Sequence, residues 1–483
     1  MKVARLLTLA GCACALVGCD MAPKYHPPVI AIPANFKEAG PWKPAQPADT
    51  LPRGPWWTDY HDPTLDALEA QVDGANPDLA IAVANYADAQ AFEAEAASNL
   101  LPTVTGFAAL SANKQSLHRP LRSNGQPNFF GANMLGTQAT YEVDVWGAVR
   151  DLVSAGKADV QASSATLESV RLILHADLAS NYVALRGLDA QGKLLADTVV
   201  AYTKALELTQ DRSAGYIASG LDVSRAQTQL DTAKALVSDV ASRRAVLEHA
   251  VARLVGQPAS AFSLPPSLTP IPLPAVPTGV PSQLLLRRPD VASAERRAAA
   301  ANELIGIAEA AFYPTFTIGL GGGTQDTKLG LFSLPNSFWS VGPAISLPIF
   351  NGGLLDAQLA GAKAQFDATA AEYKASVLDA IQEVEDNLGK LHWLSLEEVD
   401  EDAAVTAAQK TLELSMNLYR DGAVSYLEVV TAQAEALDAE RSALDLRTRL
   451  LSASVGLIRA LGGGWTVADL APPPAPKPPG SGT

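Results

Sequence analysis

The sequence predicts an α+β fold in which one plan occurs twice: a short helix, a pair of strands and two long helices. Three observations indicate it. The chain carries an internal repeat, it contains proline-free stretches far longer than an ordinary globular helix, and two of its segments alternate apolar with small or polar residues. Together these features predict strands at one end of a long helical body.

The first residues are predicted to be a cleaved secretion signal. Lys2 and Arg5 precede an apolar run, residues 6–17, that is too short to span a bilayer as a helix. Small residues then lead to Cys19, as at sites where a lipoprotein signal peptidase cuts once the thiol is acylated. We expect residues 1–18 to be removed and Cys19 to carry the lipid anchor. The alternative is a plain signal peptide with an incidental cysteine.

Composition excludes several classes of protein. The formal net charge of −15 argues against a nucleic-acid partner, because phosphate binding needs clustered Lys and Arg. Beyond the signal, no stretch of sequence is an apolar run of helix-spanning length, so a further crossing of the membrane would have to use strands. Two of the three cysteines lie within the signal, so no internal disulfide is expected.

Residues for catalysis or cofactor binding are not grouped in this sequence. The histidines are scattered without the spacing of metal ligands, and neither a nucleophile elbow nor a phosphate loop is present. The glycines within 319–323 lie on a strand-to-loop stretch and lack the helix that a dinucleotide fingerprint needs. We therefore expect no enzyme activity, no metal and no cofactor.

The internal repeat divides the chain. Asn76-Pro77-Asp78 resembles Arg288-Pro289-Asp290, which begins 212 positions later, and Gly256 pairs with Gly462 at an offset of 206. A duplicated chain constrains the fold more than any local motif does. The predicted order is signal peptide, N-terminal strap with a first helix, first repeat, linker, second repeat and disordered Pro-rich tail: residues 1–18, 19–75, 76–256, 257–287, 288–465 and 466–483.

Helical periodicity extends over unusual lengths. Short helices are predicted at 78–99 and 290–311, each ending before a proline. Residues 148–209 contain no proline and carry apolar residues at helical spacing, which at 1.5 Å per residue predicts a helix of about 93 Å. In the last helix, Val430 to Ile458, an apolar residue recurs every seven positions and predicts supercoiling. A cytoplasmic coiled-coil scaffold would share this pattern but not the secretion signal.

Two segments alternate with a period of two. Apolar residues from Trp339 to Ile349 alternate with small or polar ones, and the segment from Ala139 to Val145 follows the same pattern in the first repeat. One apolar face backed by a polar one is typical of membrane barrel strands. A soluble sandwich domain inserted twice is the alternative, although it would leave the very long helices without a purpose.

The number of strands bears on the oligomeric state. Partner strands are predicted to begin near Thr103 and Thr315, with hairpin loops at about 112–133 and 322–336, so that each chain supplies four strands. A barrel of about eight strands is filled by side chains, and a wide pore needs more. Because two chains would give about eight strands and three about twelve, this reasoning favours a trimer.

A series of short motifs runs in a fixed order along nearly the whole mature chain. Its members are Cys19 with Ala22-Pro23-Lys24-Tyr25, Trp56-Trp57, Asn76-Pro77-Asp78-Leu79, Tyr141-Glu142-Val143-Asp144, Arg288-Pro289-Asp290-Val291, Tyr313-Pro314, Gly342-Pro343, Pro348-Ile349-Phe350, Tyr426-Leu427-Glu428-Val429 and Leu461-Gly462-Gly463-Gly464-Trp465. In this order they resemble the outer membrane efflux protein family, the TolC-like channels, and more closely its NodT-type lipoproteins.

The resemblance implies a homotrimer in which twelve strands form a transmembrane β-barrel above a long periplasmic α-helical tunnel, anchored by lipid to the outer membrane. It also implies two partners, a periplasmic adaptor protein and an inner membrane pump of the resistance-nodulation-division class. The chain would then be the passive exit channel for drugs or other small toxic compounds. The alternatives are an outlet for type I protein secretion or metal efflux, and a lipid-anchored periplasmic coiled-coil scaffold.

The resemblance places contact with the adaptor at the turns between the long helices. These turns, which we call the tips, are Gly215-Tyr216-Ile217-Ala218 and Gly422-Ala423-Val424-Ser425. In the family such tips close the tunnel and receive the adaptor. The alternative is that Gly215 and Gly422 only cap helices, which glycine does without steric cost.

Acidic rings beside the tips narrow the tunnel in many family members. By position Asp222 and Glu428 match these rings, and three copies of either would repel one another and attract cations. A solvated surface carboxylate is the alternative. The sequence departs from the TolC pattern at Thr431, where a further aspartate is expected, and at Val424, where a basic residue is expected. Tyr419 with Asp222 therefore remains as the candidate gate pair.

Asp20 directly follows the predicted lipid-bearing cysteine. In enteric bacteria aspartate at that position tends to retain lipoproteins in the inner membrane, whereas the resemblance implies the outer one. Either the sorting rule differs in this organism or barrel assembly overrides it.

Overall fold

The computed structural model describes residues 20–33, 35–38, 55–120, 125–274 and 287–465. The predicted signal peptide with Cys19, part of the predicted linker and the tail from residue 466 lie outside the described residues. Within these ranges the chain forms seven α-helices and six strands. None of the helices in the described ranges combines the length and hydrophobicity needed to cross a membrane.

The structure confirms the predicted duplication, because the three helices of each repeat have the same lengths, 22, 67 and 35 residues. A first helix, α1 (Pro63–Ala75), precedes the repeats. The first repeat comprises α2 (Pro77–Ser98), β1 (Thr103–Ala109), β2 (Ala112–Lys114), β3 (Phe129–Gly131), β4 (Asn133–Val143), α3 (Ala148–Ala214) and α4 (Gly220–Leu254). The second comprises α5 (Pro289–Ala310), β5 (Thr315–Asp326), β6 (Ser337–Ser346), α6 (Leu354–Arg420) and α7 (Tyr426–Ala460).

The long helices exceed their predicted length. The prediction ended α3 at residue 209, whereas the helix continues to Ala214 and is about 100 Å long. Both long helices begin directly after a glycine with φ of 88°, Gly147 before α3 and Gly353 before α6. Because this left-handed conformation strains any other residue, the two glycines set the corners at which strands give way to helices.

Four of the strands form one antiparallel sheet in the order β1-β4-β5-β6. The last strand of the first repeat therefore pairs with the first strand of the second. The predicted hairpin loops were too long. Residues 322–326 extend β5, and β2 and β3 pair as a small ribbon within the first loop. The strand predicted to reach Ile349 ends at Ser346.

The register of the sheet places the apolar residues on one face. Val341 lies opposite Leu320, Leu320 opposite Ala139, and Ala139 opposite Val104. Residues that lie directly opposite each other share a face, so these side chains form one apolar row across all four strands. Between them the other face carries mostly small and polar residues, such as Gly321 opposite Ser340, with one row that ends in Phe107 and Phe338 as the exception. The predicted division into one apolar and one polar face is confirmed.

One hydrophobic core joins the N-terminal segment to both repeats. Leu178 and Leu185 of α3, Leu388 of α6 and Leu457 of α7 are fully buried in it. Tyr60 enters the same core from the N-terminal segment, and its hydroxyl lies 2.7 Å from that of Ser454 on α7. The N-terminal segment is therefore an integral part of the helical body.

A buried polar pair lies between α1 and α3. Oε2 of Glu69 lies 2.6 Å from Nδ1 of His175, and the imidazole ring stacks on Trp57 with 4.5 Å between centroids. Neither Glu69 nor His175 is accessible to any appreciable extent. Burial raises the pKa of Glu69 to about 7, and the contact with His175 opposes that rise.

We predict that Glu69 makes folding stability fall as the pH rises. Its raised pKa means that the folded chain holds a proton that the unfolded chain releases, so this stability is full below about pH 4.5 and is lost as the pH rises through about 7. The loss is at most about 3 kcal/mol. Calorimetric unfolding temperatures at about pH 5 and about pH 8 should differ less in Glu69→Gln than in the natural chain. Asp59→Asn, an exposed control, should keep the full difference; equal differences in the natural chain and Glu69→Gln would contradict the prediction.

Candidate functional site

The tips lie together at the end of the helical body that is farthest from the sheet. Helices α3 and α6 both begin beside the sheet and end 67 residues later, about 100 Å away. The two helix ends touch, because Nη1 of Arg212 on α3 donates to the carbonyl oxygen of Tyr419 on α6 at 2.8 Å. The structure thus brings the predicted tips of both repeats into one site.

The helix that precedes each tip, α3 or α6, ends in the same backbone turn. The amide of Ile217 donates to the carbonyl of Arg212, and the amide of Ala423 donates to that of Leu418, each at 2.8 Å. This bond closes a Schellman motif, whose next-to-last residue is left-handed and is usually glycine. In the second tip Gly422 takes that place with φ of 80°.

In the first tip the left-handed residue is Tyr216, with φ of 61°, while Gly215 has an ordinary φ of −80°. Gly215 is the C-cap residue of α3, but it is not the equivalent of Gly422: Tyr216, 206 positions before Gly422, takes the left-handed place. A left-handed conformation costs a residue with a side chain about 1–2 kcal/mol. The ring of Tyr216 is 98% exposed, so packing within the chain does not offset this cost.

The remaining tip residues divide by exposure. The exposed residues are Gly215, Ile217, Gly422, Ala423 and Ser425. Ala218 and Val424 are partly buried. Val424 packs against the small core beneath the tips, which includes Tyr202, Leu206, Tyr419 and Tyr426. The tips thus offer an exposed surface on a fixed apolar base.

The two predicted acidic residues have different surroundings. Asp222 and Ser219 form a reciprocal capping box at the start of α4: Oγ of Ser219 accepts from the amide of Asp222, and the carboxylate accepts from the amide of Ser219. Asp222 also lies 3.6 Å from Nη1 of Arg225. Glu428 is exposed at the equivalent position of α7, and Ser425 makes no side-chain cap there. Of the two carboxylates, Glu428 is the less engaged within the chain.

Tyr419 lies beneath the tips rather than on their surface. It is 3% exposed, its ring centroid lies 5.2 Å from that of Tyr426, and its hydroxyl has no hydrogen-bond partner in the described part of the chain. Burial raises the pKa of Tyr426 to about 12, so this neighbour is neutral at physiological pH. Within one chain Tyr419 does not hydrogen-bond to Asp222, and their pairing as a gate stays a prediction.

Arg212 is a residue of the site that the sequence analysis missed. Its guanidinium lies 4.6 Å from the ring centroid of Tyr419, and Nη1 donates to the carbonyls of Tyr419 and Arg420. These carbonyls belong to the last turn of α6, where the bonds within the helix run out, and that of Tyr419 also accepts from the amide of Gly422 at 3.0 Å. A cation therefore caps α6 from the other repeat. The signal in the sequence is a basic residue in the last turn of a helix, which by itself does not reveal a partner 207 residues away.

We predict that Arg212 holds the two tips together. Arg212→Met removes two hydrogen bonds and the contact with the ring, which should weaken local structure by about 1–3 kcal/mol. Hydrogen exchange followed by mass spectrometry should become faster in residues 414–422 at the end of α6. Arg225→Met is the control, because its ion pair with Asp222 is long, at 3.6 Å, and only partly buried, and its loss costs about 1 kcal/mol. Equal protection of that segment in both variants would show that Arg212 does not hold it.

Comparison with known proteins agrees with this architecture. The model of the outer membrane efflux protein family matches twice, at residues 70–257 and 280–463. The chain is 32% identical over 465 residues to the antibiotic efflux pump outer membrane protein ArpC of Pseudomonas putida, covering 95% of this chain and 96% of ArpC. It is also 32% identical over 461 residues to the toluene efflux pump outer membrane protein TtgF of the same species, covering 93% and 95%.

Among solved structures, the open state of the MtrE outer membrane channel of Neisseria gonorrhoeae superposes with a TM-score of 0.80 at 26% identity, covering 92% of this chain and 98% of MtrE. The predicted fold class is thereby confirmed: strands that contribute to a membrane barrel continue into a long helical tunnel. The double match and the length over which the relatives align leave no part of either repeat outside the likeness. The chain belongs to the outer membrane efflux protein family.

Proposed function

We propose that three copies of this chain form the passive exit channel of a tripartite efflux pump, in which each copy adds its four-stranded sheet to one closed barrel. The observation that carries the proposal is the sheet itself. Strands β1 and β6 are each paired on one side only in the described part of the chain. A sheet in hydrocarbon must pair every backbone group, so β6 of one copy would pair with β1 of the next.

The apolar face of the sheet supports this arrangement. On β6 the side chains of Trp339, Val341 and Ile345 are 78%, 61% and 67% exposed in the isolated chain. Exposed apolar residues in a continuous row are costly in water but suit a surface that faces lipid. The opposite face, with its small and polar residues, would line the lumen.

The helical body also offers surface for neighbouring copies. Along α6 large apolar side chains are exposed in the isolated chain, namely Leu378, Trp393, Leu396, Val399, Leu414 and Leu418. Burial of such residues contributes about 1.5–3 kcal/mol each. Contact between the long helices of adjacent copies would bury them and close the tunnel wall.

The position of the N-terminal segment supports a lipid anchor at Cys19. Ala22 packs so closely against Gly306 of α5 that a Cβ there would lie 2.7 Å from its Cα, and Asn302 donates to the carbonyl of Pro23 at 2.6 Å. These residues of α5 lie shortly before β5, at the sheet end of the body. The chain that leads to Cys19 therefore approaches the membrane from the periplasmic side.

We predict that acylation requires Cys19. Cys19→Ala should remove incorporation of labelled palmitate, while the strap from residue 20 onward keeps its contacts with α5. Labelling of the isolated membrane protein in growing cells measures this directly. Persistent labelling of Cys19→Ala would refute the anchor, because the only other cysteines lie within the predicted signal.

We propose that Glu428 narrows the inner end of the tunnel, with Asp222 and Tyr419 as further gate residues. Three copies of Glu428 around one axis would attract cations and repel one another. Asp222 is already held by its capping box, so its contribution to the field at the axis is expected to be smaller.

We predict that Glu428→Gln raises single-channel conductance in planar bilayers and lowers the preference for cations, because it removes charge and keeps volume. Asp222→Asn should have a smaller effect. Glu435→Gln serves as control, since Glu435 is exposed two turns farther along α7. The mass of the same sample, from light scattering, should correspond to three chains. Unchanged conductance in Glu428→Gln would show that Glu428 is not part of the gate. A monomer without conductance would refute the proposal that the protein is a channel.

We propose that the tips, Tyr216 foremost, receive the periplasmic adaptor that leads to an inner membrane pump of the resistance-nodulation-division class. A strained and fully exposed aromatic residue suggests selection for contact rather than for stability. Aromatic rings are also the side chains that most often anchor protein interfaces.

We predict that Tyr216→Gly separates the effect of Tyr216 on adaptor binding from its effect on stability. The glycine relieves the left-handed strain, so stability should be unchanged or raised by about 1 kcal/mol, while co-purification with the adaptor from cells that carry the whole pump should fall. Tyr216→Phe keeps ring and strain and should retain the adaptor. If Tyr216→Gly captures as much adaptor as the natural chain, the tyrosine is not an anchor.

The exported compounds are proposed only as a class. ArpC and TtgF, at equal identity to this chain, are described as components of an antibiotic pump and a toluene pump. We therefore infer that the channel passes small toxic compounds of both kinds, and that selection among them belongs to the pump.

A further inference from the structure

A cleft of about 490 Å³ lies between α3, the chain segment that follows α4, and α7. Its polar side chains are Arg186 of α3, Ser267 and Thr269 of the segment, and Arg447 and Thr448 of α7. Apolar side chains, Leu268 and Leu444 among them, form most of the remaining wall. Its size falls within the range of clefts that bind small molecules.

The charge of this cleft is opposite to that of the chain. The protein carries a formal net charge of −15, yet the lining includes two guanidinium groups and no carboxylate. Three other clefts in the described part of the chain each include at least one carboxylate, from Glu397, Asp445 or Asp326. Arg186 forms an ion pair with the buried Asp189, so Arg447 supplies the positive charge of the cleft, which together with the apolar walls suits an anion that carries an apolar group.

Each of the two arginines makes hydrogen bonds within the chain, but not all of its N–H groups are used in them. Arg186 is 8% exposed, and its Nη1 donates to Asp189 at 2.8 Å and to the carbonyl of Pro265 at 2.9 Å. Its Nε is buried and has no hydrogen-bond partner among the described residues. Arg447 donates to the carbonyl of Ile271 at 3.2 Å and forms no ion pair with another described residue. Nε of Arg186 has almost no accessible surface, whereas Arg447 is exposed, so Arg447 is the guanidinium to which an anionic oxygen in the cleft can bind.

We propose that this cleft binds a small amphipathic anion, a carboxylate on a short alkyl chain being the simplest member. The head group would accept hydrogen bonds from Arg447, with the hydroxyls of Ser267 and Thr269 nearby. The alkyl chain would lie along Leu268 and Leu444. Because the cleft joins the first repeat, the segment after α4 and the second repeat, the bound anion would tie all three together.

The proposal is tested by calorimetric titration of octanoate into the purified full-length channel in an uncharged amphipol. Octanoate should bind saturably, whereas octanol, which lacks the charge, should not. Arg447→Met should weaken octanoate binding about ten- to hundredfold, the effect of losing one hydrogen bond to a charged group. Arg449→Met, on the same helix but outside the cleft, should bind like the natural chain.

A second variant, Arg447→Gln, removes the charge and shortens the side chain but keeps an amide donor, and its unfolding temperature without octanoate shows whether a loss of affinity reflects a loss of folding. Octanoate should also raise the unfolding temperature of the natural chain and of Arg449→Met, but not that of Arg447→Gln. Absence of saturable binding, equal binding of octanol, or equal affinity of Arg447→Gln and the natural chain would each overturn the proposal. If neighbouring copies of the chain cover the cleft in the assembled channel, saturable binding of octanoate will be absent.

Discussion

The structure depends on one constraint: a β-sheet in hydrocarbon must pair every backbone amide and carbonyl, and four strands cannot do so alone. The sheet of this outer membrane protein is apolar on one face from Val104 to Val341, yet β1 and β6 each pair on one side only. Completion of the hydrogen bonds by further copies turns a half-exposed sheet into a barrel. In the proposed trimer the same association would bury the exposed apolar residues of α6.

Duplication explains how one chain builds so long an object. Two sets of helices with equal lengths place both tips at the same distance from the sheet, and Gly147 and Gly353 turn the chain at equivalent corners. The repeats have diverged where function is expected. At the tips a strained tyrosine replaces the glycine of the other repeat, one acidic residue is held by a capping box while the other is exposed, and Arg212 crosses from one repeat to cap a helix of the other.

The N-terminal segment and the segment after α4 lie outside the two sets of helices and strands, and both contact the repeats. Tyr60 reaches Ser454, Glu69 reaches His175, and Arg186 and Arg447 hold the segment that begins near Pro265. Buried polar contacts of this kind are unfavourable unless they are satisfied. They therefore fix one arrangement of the helices more strictly than apolar packing alone does.

The sequence by itself determined the fold class, the duplication, the places of the helices and the two faces of the sheet, because periodicity and repeated motifs are local properties that survive in a single chain. It also identified the tips, but it did not indicate that Tyr216 is left-handed, since glycine is the usual residue in that position and a tyrosine is not. Only the tertiary structure decided that Tyr216 holds this position, that Asp222 is engaged and Glu428 is not, and that Arg212 lies over Tyr419. Such contacts join residues about two hundred positions apart, and it is the equal length of two 67-residue helices, not any local signal, that brings them together.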